Sequence, residues 1–155
     1  MLEILQVESD ENIKIAKELI MEYVDSLGFD LDFQDFEHEL ADLKEHYAPP
    51  DGCLLLATLE NKPVGCVAMS KFGDNICEMK RLYIRPEFRG HGFGRALAEN
   101  VIEKAKESGY SHMRLDMVMP RDAARELYLS LGFKDIEPYR YNPIEGAVFM
   151  ELKLT

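Results

Sequence analysis

Apolar and polar residues alternate in two different periods along the N-terminal part of the chain. Residues 2–7 alternate weakly and predict a strand. After the capping sequence Ser9-Asp10-Glu11, apolar residues recur at helical spacing and predict a helix that Gly28 ends. A second helix is predicted over residues 33–43, with its acidic side facing water or a substrate. The acidic residues of that side are Asp32, Asp35, Glu37, Glu39 and Asp42.

Short apolar runs between turn residues predict three strands in the middle of the chain. Sequential strands that are joined by tight turns pair antiparallel, so these runs are expected to form a meander. The predicted strands are residues 53–58, 64–69 and 76–84, and the turns before and between them are 49–52, 61–63 and 73–75.

A glycine-rich turn at residues 89–94 changes the pattern from strands to helices that alternate with strands. This order joins an antiparallel half to a part with a parallel strand pair. We therefore predict an α/β (α+β) fold over residues 1–155, as a single domain with a mixed, mostly antiparallel central sheet flanked by helices. The later elements are a helix ending near Gly109, a strand at 113–118, a helix at 122–131 capped by Gly132, and a strand at 147–154.

Composition agrees with one folded domain and limits its partners. The 155 residues are 46% hydrophobic and 30% charged, which is ordinary for a folded domain. A formal net charge of -11 argues against nucleic acid, because phosphate binding needs a positive surface. The charge favours cationic or amine-bearing partners, although acidity that only keeps the protein soluble explains it equally well.

No membrane or metal partner is expected. The apolar runs are far shorter than the roughly 20 residues that cross a bilayer, and the N-terminus lacks a basic region before an apolar one, so we expect a cytoplasmic protein. Cys53, Cys66 and Cys77 lie on strand-like stretches and are expected to be buried thiols. His38 and His46 match no zinc pattern.

The strongest chemical signal lies in residues 78–97, where a strand leads through alternating glycines into a helix. The first amides of a helix have no internal partner, and glycines let an anion approach the backbone closely. The spacing excludes the nucleotide P-loop and the dinucleotide-binding fingerprint. The glycines are Gly90, Gly92 and Gly94, flanked by Arg89 and Arg95.

Arg89-x-x-Gly92-x-Gly94 after an apolar strand resembles the acyl-CoA loop of the GNAT N-acetyltransferase superfamily. Residues 124–133, A-R-E-L-Y-L-S-L-G-F, are similar to a second motif of that family. One position departs, because Arg121 stands where many members have asparagine. The resemblance implies a GNAT fold whose parallel pair flanks an acyl-CoA cleft. It also implies an acetyl-CoA-dependent N-acetyltransferase that acts on a primary amine of a small molecule or peptide. The sequence leaves open whether the protein is a monomer or a homodimer.

The resemblance also implies which residues bind acetyl-CoA. Main-chain groups of Leu82, Tyr83 and Ile84 are expected to pair with the pantetheine arm, as a peptide adds to a sheet edge. The glycine-rich loop is expected to hold the pyrophosphate mainly through amides, and His91 is expected to contribute its amide rather than act as a base. The loop residues are Arg89, Gly90, His91, Gly92, Phe93, Gly94 and Arg95.

Two catalytic residues follow from the resemblance, and each has a structural alternative. Tyr128 is expected to protonate the departing thiolate, although it also fits a helix face packed in the core. Glu78 is expected to take a proton from the incoming ammonium, although a surface charge paired with Lys80 explains it equally well. Asp116 and Glu39 are weaker candidates for the same role.

The implied mechanism is direct transfer in a ternary complex, in which a strand amide near Leu82 polarises the thioester carbonyl. Two other functions remain open from the sequence. One is a non-catalytic acyl-CoA sensor or interaction module. The other is acetylation of protein N-termini or lysines, which differs only in the acceptor.

Overall fold

A computed structural model of the chain describes residues 1–27, 36–117, 122–144 and 146–155. Within these residues, seven strands form one sheet with helices on both faces. The strands are β1 (Leu2–Gln6), β2 (Cys53–Leu59), β3 (Lys62–Gly73), β4 (Ile76–Ile84), β5 (His112–Met117), β6 (Lys134–Ile136) and β7 (Val148–Lys153). The helices are α1 (Asp10–Leu27), α2 (Phe36–Ala41), α3 (Leu43–His46), α4 (Phe93–Glu107) and α5 (Asp122–Ser130), and a short 3-10 helix, Pro86–Phe88, precedes α4.

The strand order is β1-β2-β3-β4-β5-β7-β6. Every neighbouring pair is antiparallel except β4 and β5, which are parallel. This confirms the predicted mixed, mostly antiparallel sheet with one parallel pair. A parallel pair needs a crossover connection, and α4 supplies it across one face of the sheet.

Two apolar cores lie on opposite faces of the sheet. On one face, α1 buries Leu19 and Ile20 against β2 and β3, and the Asn12 N–H donates to Ser9 Oγ at 3.1 Å to cap the helix. On the other face, α4 buries Leu97 and Val101 together with residues of α5. The sheet therefore has helices packed against both of its faces.

The structure departs from the predicted elements in two places. The second helix is divided into α2 and α3, because Asp42 has a φ of -119° and a ψ of 39°, which are not helical. Strand β6 was not predicted, since three residues are too few to show a period. Strand β4 has the predicted bounds. Gly28, residues 33–35, Val118 and Arg121 lie outside the described residues, and so do Asp30 and Asp32.

Candidate active site

Strands β4 and β5 separate in the middle of the sheet. Their parallel pairing is limited to residues Ile76, Cys77 and Glu78 of β4, opposite His112 to Arg114 of β5. Beyond Glu78, β4 continues to Ile84 while pairing with β3 on its other edge. The edge that faces β5 is left open over this length, and we call the gap the β4–β5 opening.

A bulge in β4 sets the direction of its last residues. The register with β3 shifts between Cys66 and Ala68, so that Val67 opposes both Arg81 and Leu82, and Arg81 has a φ of 62°. The bulge turns Arg81 toward α2 on one face. Leu82 and Ile84, after the bulge, pack against the core of the other face.

Main-chain donors of β4 point into the β4–β5 opening. The Arg85 N–H donates to Val64 of β3 at 2.9 Å. Main-chain groups of successive strand residues point to opposite edges, so the N–H groups of Leu82 and Ile84 face the opening and that of Tyr83 faces β3. A side chain at Gly65 of β3 would meet the Tyr83 carbonyl oxygen at 2.2 Å, in agreement with that direction.

The glycine-rich loop ends in unpaired amides. Gly90 and Gly92 have φ values of 86° and 80°, the left-handed region that glycine adopts without strain. The first hydrogen bond of α4 runs from the Ala96 N–H to the Gly92 carbonyl at 3.1 Å. Among the described residues, the amides of Phe93, Gly94 and Arg95 have no acceptor, so the start of α4 presents donors and a partial positive charge.

The two arginines of the loop have partners within the chain. Arg89 Nε donates to the Ile84 carbonyl at 2.9 Å, and its guanidinium lies 5.7 Å from the centre of the Tyr83 ring. Arg95 donates to Ser130 of α5. Both guanidinium groups therefore stay near the junction of β4, α4 and α5, with further N–H groups available for an anion.

Tyr128 of α5 is a core residue with an unpaired hydroxyl. Its side chain is 8% exposed and its ring meets Phe133 edge-on at 5.6 Å. No hydrogen bond to the hydroxyl is present in the described part of the chain. Burial, and secondarily the nearby Tyr23, raise the pKa of Tyr128 well above the ordinary tyrosine value, so the hydroxyl keeps its proton at neutral pH.

Glu78 is buried where β4 and β5 begin to separate. It is 2% exposed, and its two oxygens accept hydrogen bonds from Tyr139 at 2.7 Å and from Arg140 at 2.6 Å. The alternative that Glu78 is a charge on the surface of the strand is wrong, because its side chain is buried. Burial raises the pKa of Glu78, and the charges of Lys80 and Arg140 only partly offset it.

Glu39 does not face water as predicted. It is 1% exposed and accepts two hydrogen bonds from Arg81, at 2.9 and 2.7 Å. Burial alone would raise its pKa, but the hydrogen bonds and charge of Arg81 outweigh burial and lower the pKa of Glu39. A carboxylate held in this way is a poor base. Asp116 of β5 accepts a hydrogen bond from Asn142 at 3.1 Å.

Tyr139 and Arg140 were not identified from the sequence as partners of Glu78. They lie between β6 and β7 and fold back over β3, where the Phe72 ring meets Tyr139 at 5.0 Å and Arg140 at 5.6 Å. The sequence did contain one indication of such partners, because the apolar strand β4 includes the charged residues Glu78, Lys80 and Arg81. Buried charges need partners, but the spacing along the chain does not say from which segment they come.

A cavity of about 580 Å³ opens beside Glu78. It lies between β3, β4, the α3 region and Arg140, on the side of the sheet that Glu39 occupies. Polar residues that line it are Glu45, His46, Asp51, Ser70, Lys71, Glu78, Lys80 and Arg140.

Other chemistry has little support in the parts of the chain that the structure describes. No group of three or more His, Cys, Asp or Glu residues is placed to hold a metal ion there. Cys53, Cys66 and Cys77 are buried free thiols, and burial raises the pKa of Cys53 to about 11 and those of Cys66 and Cys77 to about 12. No helix in this part is both long and apolar enough to cross a bilayer.

Sequence comparisons identify relatives with N-acetyltransferase names. An uncharacterized N-acetyltransferase of Schizosaccharomyces pombe is 41% identical over 156 residues, which cover 99% of this chain and 96% of the relative. The N-acetylaspartate synthetase of Danio rerio is 38% identical over 100 residues, which cover 63% of this chain and 36% of that protein.

The fold and a family profile give the same assignment. The PaiA N-acetyltransferase of Thermoplasma acidophilum, solved in complex with coenzyme A, matches 99% of both chains with a TM-score of 0.76 at 19% identity, which shows a common fold. The profile described as Acetyltransferase (GNAT) family matches residues 15–133. The chain belongs to this GNAT family and is an acetyl-CoA-dependent acyltransferase.

Proposed function

We propose that this enzyme transfers the acetyl group of acetyl-CoA directly to a primary amine of a small molecule or peptide, within a ternary complex on one domain formed by residues 1–155. One observation carries the proposal. The open edge of β4 leads from Glu78 to the unpaired amides at the start of α4, so a base, a strand edge and an anion site follow one another. Acetyl-CoA offers a thioester, an amide-bearing arm and a pyrophosphate in the same order.

The coenzyme binds through main-chain groups in this proposal. The pyrophosphate accepts hydrogen bonds from the amides of the loop from Arg89 to Arg95, and the dipole of α4 adds to the attraction. The pantetheine arm pairs with the N–H group of Ile84 and the carbonyl group of Leu82, which face the β4–β5 opening. Tyr83 does not pair with the pantetheine arm as predicted, because its main-chain groups face β3. Its ring packs in the core on the side of α1.

The thioester carbonyl is polarised by the Leu82 amide in the same arrangement. Negative charge develops on this oxygen as the amine attacks, so a fixed donor stabilises the transition state more than the ground state. No covalent enzyme intermediate is needed, in agreement with cysteine thiols that burial keeps protonated.

Glu78 is the proposed base. An ammonium group must lose a proton before its nitrogen can attack, and a carboxylate with a raised pKa holds that proton more strongly than an exposed one. Tyr139 and Arg140 each occupy one oxygen, which leaves further lone pairs for the ammonium or for a water between them.

Tyr128 is the proposed donor to the coenzyme sulfur. Its hydroxyl is protonated and unpaired in the described residues, so it is available as charge develops on the departing thiolate. A free thiol has a pKa of about 8.5, well below that of Tyr128. These pKa values favour a hydrogen bond from Tyr128 that stabilises the departing thiolate, with transfer of the proton only late in the reaction.

The amino group of a small molecule is the favoured acceptor. The relative from Danio rerio is named for the synthesis of N-acetylaspartate, which is the acetylated form of an amino acid. By similarity, we propose that this enzyme also acetylates the amino group of a small molecule of this kind.

Calorimetric titration with acetyl-CoA and a thiol-release assay with a panel of amines test the proposal together. We expect acetyl-CoA to bind at micromolar concentration and thiol release to depend on an amine. Glu78→Gln should lower kcat/KM for the amine by about a hundred- to ten-thousandfold. Glu103→Gln, an exposed change on α4, is the matched control. Binding without amine-dependent thiol release would contradict catalysis and favour a sensor.

A further inference from the structure

The buried layer around Glu78 contains more positive than negative charge, although the whole chain has a net charge of -11. Two carboxylates, Glu39 and Glu78, are almost fully buried. Three cations lie against them, since Arg81 and Lys80 approach Glu39 and Arg140 approaches Glu78. One positive charge is therefore left without a carboxylate of its own.

Lys80 is the surplus cation. Its side chain is 12% exposed, and its ammonium nitrogen lies 3.9 Å from Glu39, whose two oxygens are already bonded to Arg81. No hydrogen-bond acceptor for Lys80 is present in the described ranges. Burial and the charge of Arg81 lower the pKa of Lys80, and the charges of Glu39 and Glu78 offset this only in part.

Arg140 provides a second unsatisfied donor at the same place. One end of its guanidinium donates to Glu78, but its Nε is buried and has no hydrogen-bond partner within the described residues. A buried donor without an acceptor costs stability unless a ligand or water supplies one. The Lys80 ammonium and the Arg140 Nε are therefore two cationic donors near Glu78 that have no hydrogen-bond acceptor among the described residues.

The cavity of about 580 Å³ exposes part of the Lys80 and Arg140 side chains to solvent, although the Arg140 Nε itself stays buried. Lys80, Arg140 and Lys71 all line it together with Glu78. Its other carboxylates, Glu45 and Asp51, are exposed, so water and salt screen their charges. The inner part of the cavity is thus cationic apart from Glu78 itself.

Spacing along β4 determines which ligand fits. Glu78 and Lys80 lie on one face of a regular stretch of strand, two residues apart, which separates their Cα atoms by about 6.7 Å. Two side chains at this separation can converge on an amine and an anion that are one or two carbon atoms apart. The main chain of a peptide N-terminus has no anion so close to its amine, whereas a free amino acid has its α-carboxylate one carbon atom away.

We propose that the acceptor is a free amino acid whose carboxylate binds Lys80 and Arg140 while its amine faces Glu78. This inference rests on the proposed function and narrows its substrate class. The carboxylate would balance the surplus charge of Lys80 and accept hydrogen bonds from the part of the Arg140 side chain that lines the cavity. Lys80 and Arg140 then determine specificity rather than take part in the chemistry.

Matched pairs of substrates test the inference with the unaltered protein. Aspartate, glutamate and alanine are each compared with the same amino acid as its α-carboxamide, by thiol release at saturating acetyl-CoA. The amide has the less basic amine and is the better nucleophile at neutral pH, so intrinsic reactivity favours the amide. We expect kcat/KM for at least one free acid to exceed that of its amide by about ten- to a hundredfold.

Lys80→Met keeps the length of the side chain and removes its charge. We expect the ratio of kcat/KM between acid and amide to fall about tenfold or more in Lys80→Met, and to keep its original value in Lys62→Met, which changes an exposed lysine at the start of β3. Thermal unfolding shows whether Lys80→Met is folded. If it is not, the comparison of acids with amides in the unaltered protein still decides.

The outcomes separate this inference from the proposed function. Acetylation of amides or simple amines at rates equal to or above those of the free acids overturns the carboxylate site and leaves the enzyme assignment intact. Acetyl-CoA binding without acetylation of any amino acid in the panel also overturns it. Failure to bind acetyl-CoA would instead overturn the proposed function.

Discussion

The Tyr139 hydroxyl donates a hydrogen bond to the Glu78 carboxylate at 2.7 Å, and so ties the segment between β6 and β7 to the centre of β4. Arg140, the next residue, binds the other oxygen. A carboxylate that is 2% exposed would have a strongly raised pKa without such partners. The two contacts therefore limit the rise in the pKa of Glu78 that burial causes.

Tyr139→Phe should move the pH dependence of the reaction. The hydrogen bond from Tyr139 favours the charged form of Glu78 and lowers its pKa, so its removal raises that pKa further. A base works only above its pKa, and the acidic limb of the kcat/KM profile should shift to higher pH. Tyr141→Phe is the control, because Tyr141 is 74% exposed. An unshifted acidic limb in Tyr139→Phe would show that Glu78 is not the base.

Tyr128→Phe should lower kcat without changing the fold or the affinity for acetyl-CoA. The hydroxyl makes no hydrogen bond within the described residues, so its loss removes no interaction from the free protein, and the ring contact with Phe133 remains. Loss of the donor to the thiolate should reduce kcat by about a hundred- to ten-thousandfold. Calorimetry and steady-state kinetics on the same sample separate the two quantities. Unchanged kcat would assign Tyr128 to the core alone.

The sequence predicted the parts of the site that depend on local patterns. Strand β4 and the glycines that follow it are visible in the chain because apolar spacing and left-handed turns have local signatures. The bulge at Arg81 has no such signature, since arginine seldom adopts a positive φ. The burial of Glu39 was also missed, because its partner Arg81 lies 42 residues away in the sequence and no local pattern shows the contact.

Gly94→Ala should separate folding from coenzyme binding. A Cβ at this position would lie 3.7 Å from Ile84 and 3.9 Å from Leu127, which are ordinary contacts, and alanine stabilises a helix by about 0.5–1 kcal/mol relative to glycine. The free protein should therefore be as stable or more stable. If the pyrophosphate packs on the start of α4, the added methyl group should weaken acetyl-CoA binding severalfold in calorimetry.

Gly73→Ala is the matched control for Gly94→Ala. A Cβ at Gly73 would meet nothing within 4 Å, and this residue lies at the far end of β3 from the loop. Equal acetyl-CoA affinity in both variants and in the unaltered protein would mean that the anion does not approach Gly94.

Arg81→Met should destabilise the protein by about 3–5 kcal/mol near neutral pH, because it removes both hydrogen bonds to the buried Glu39 carboxylate and leaves only the Lys80 ammonium at 3.9 Å. The pKa of Glu39 is below its ordinary 4.5, so the stability gained from Arg81 is present above that pH and is lost as the pH falls through the lowered value. The cost of Arg81→Met should therefore shrink in acid. Denaturant unfolding of both proteins at several pH values measures this difference in the free energy of unfolding. In the double variant with Glu39→Leu, most of the loss should be recovered, and additive costs would contradict a coupled pair.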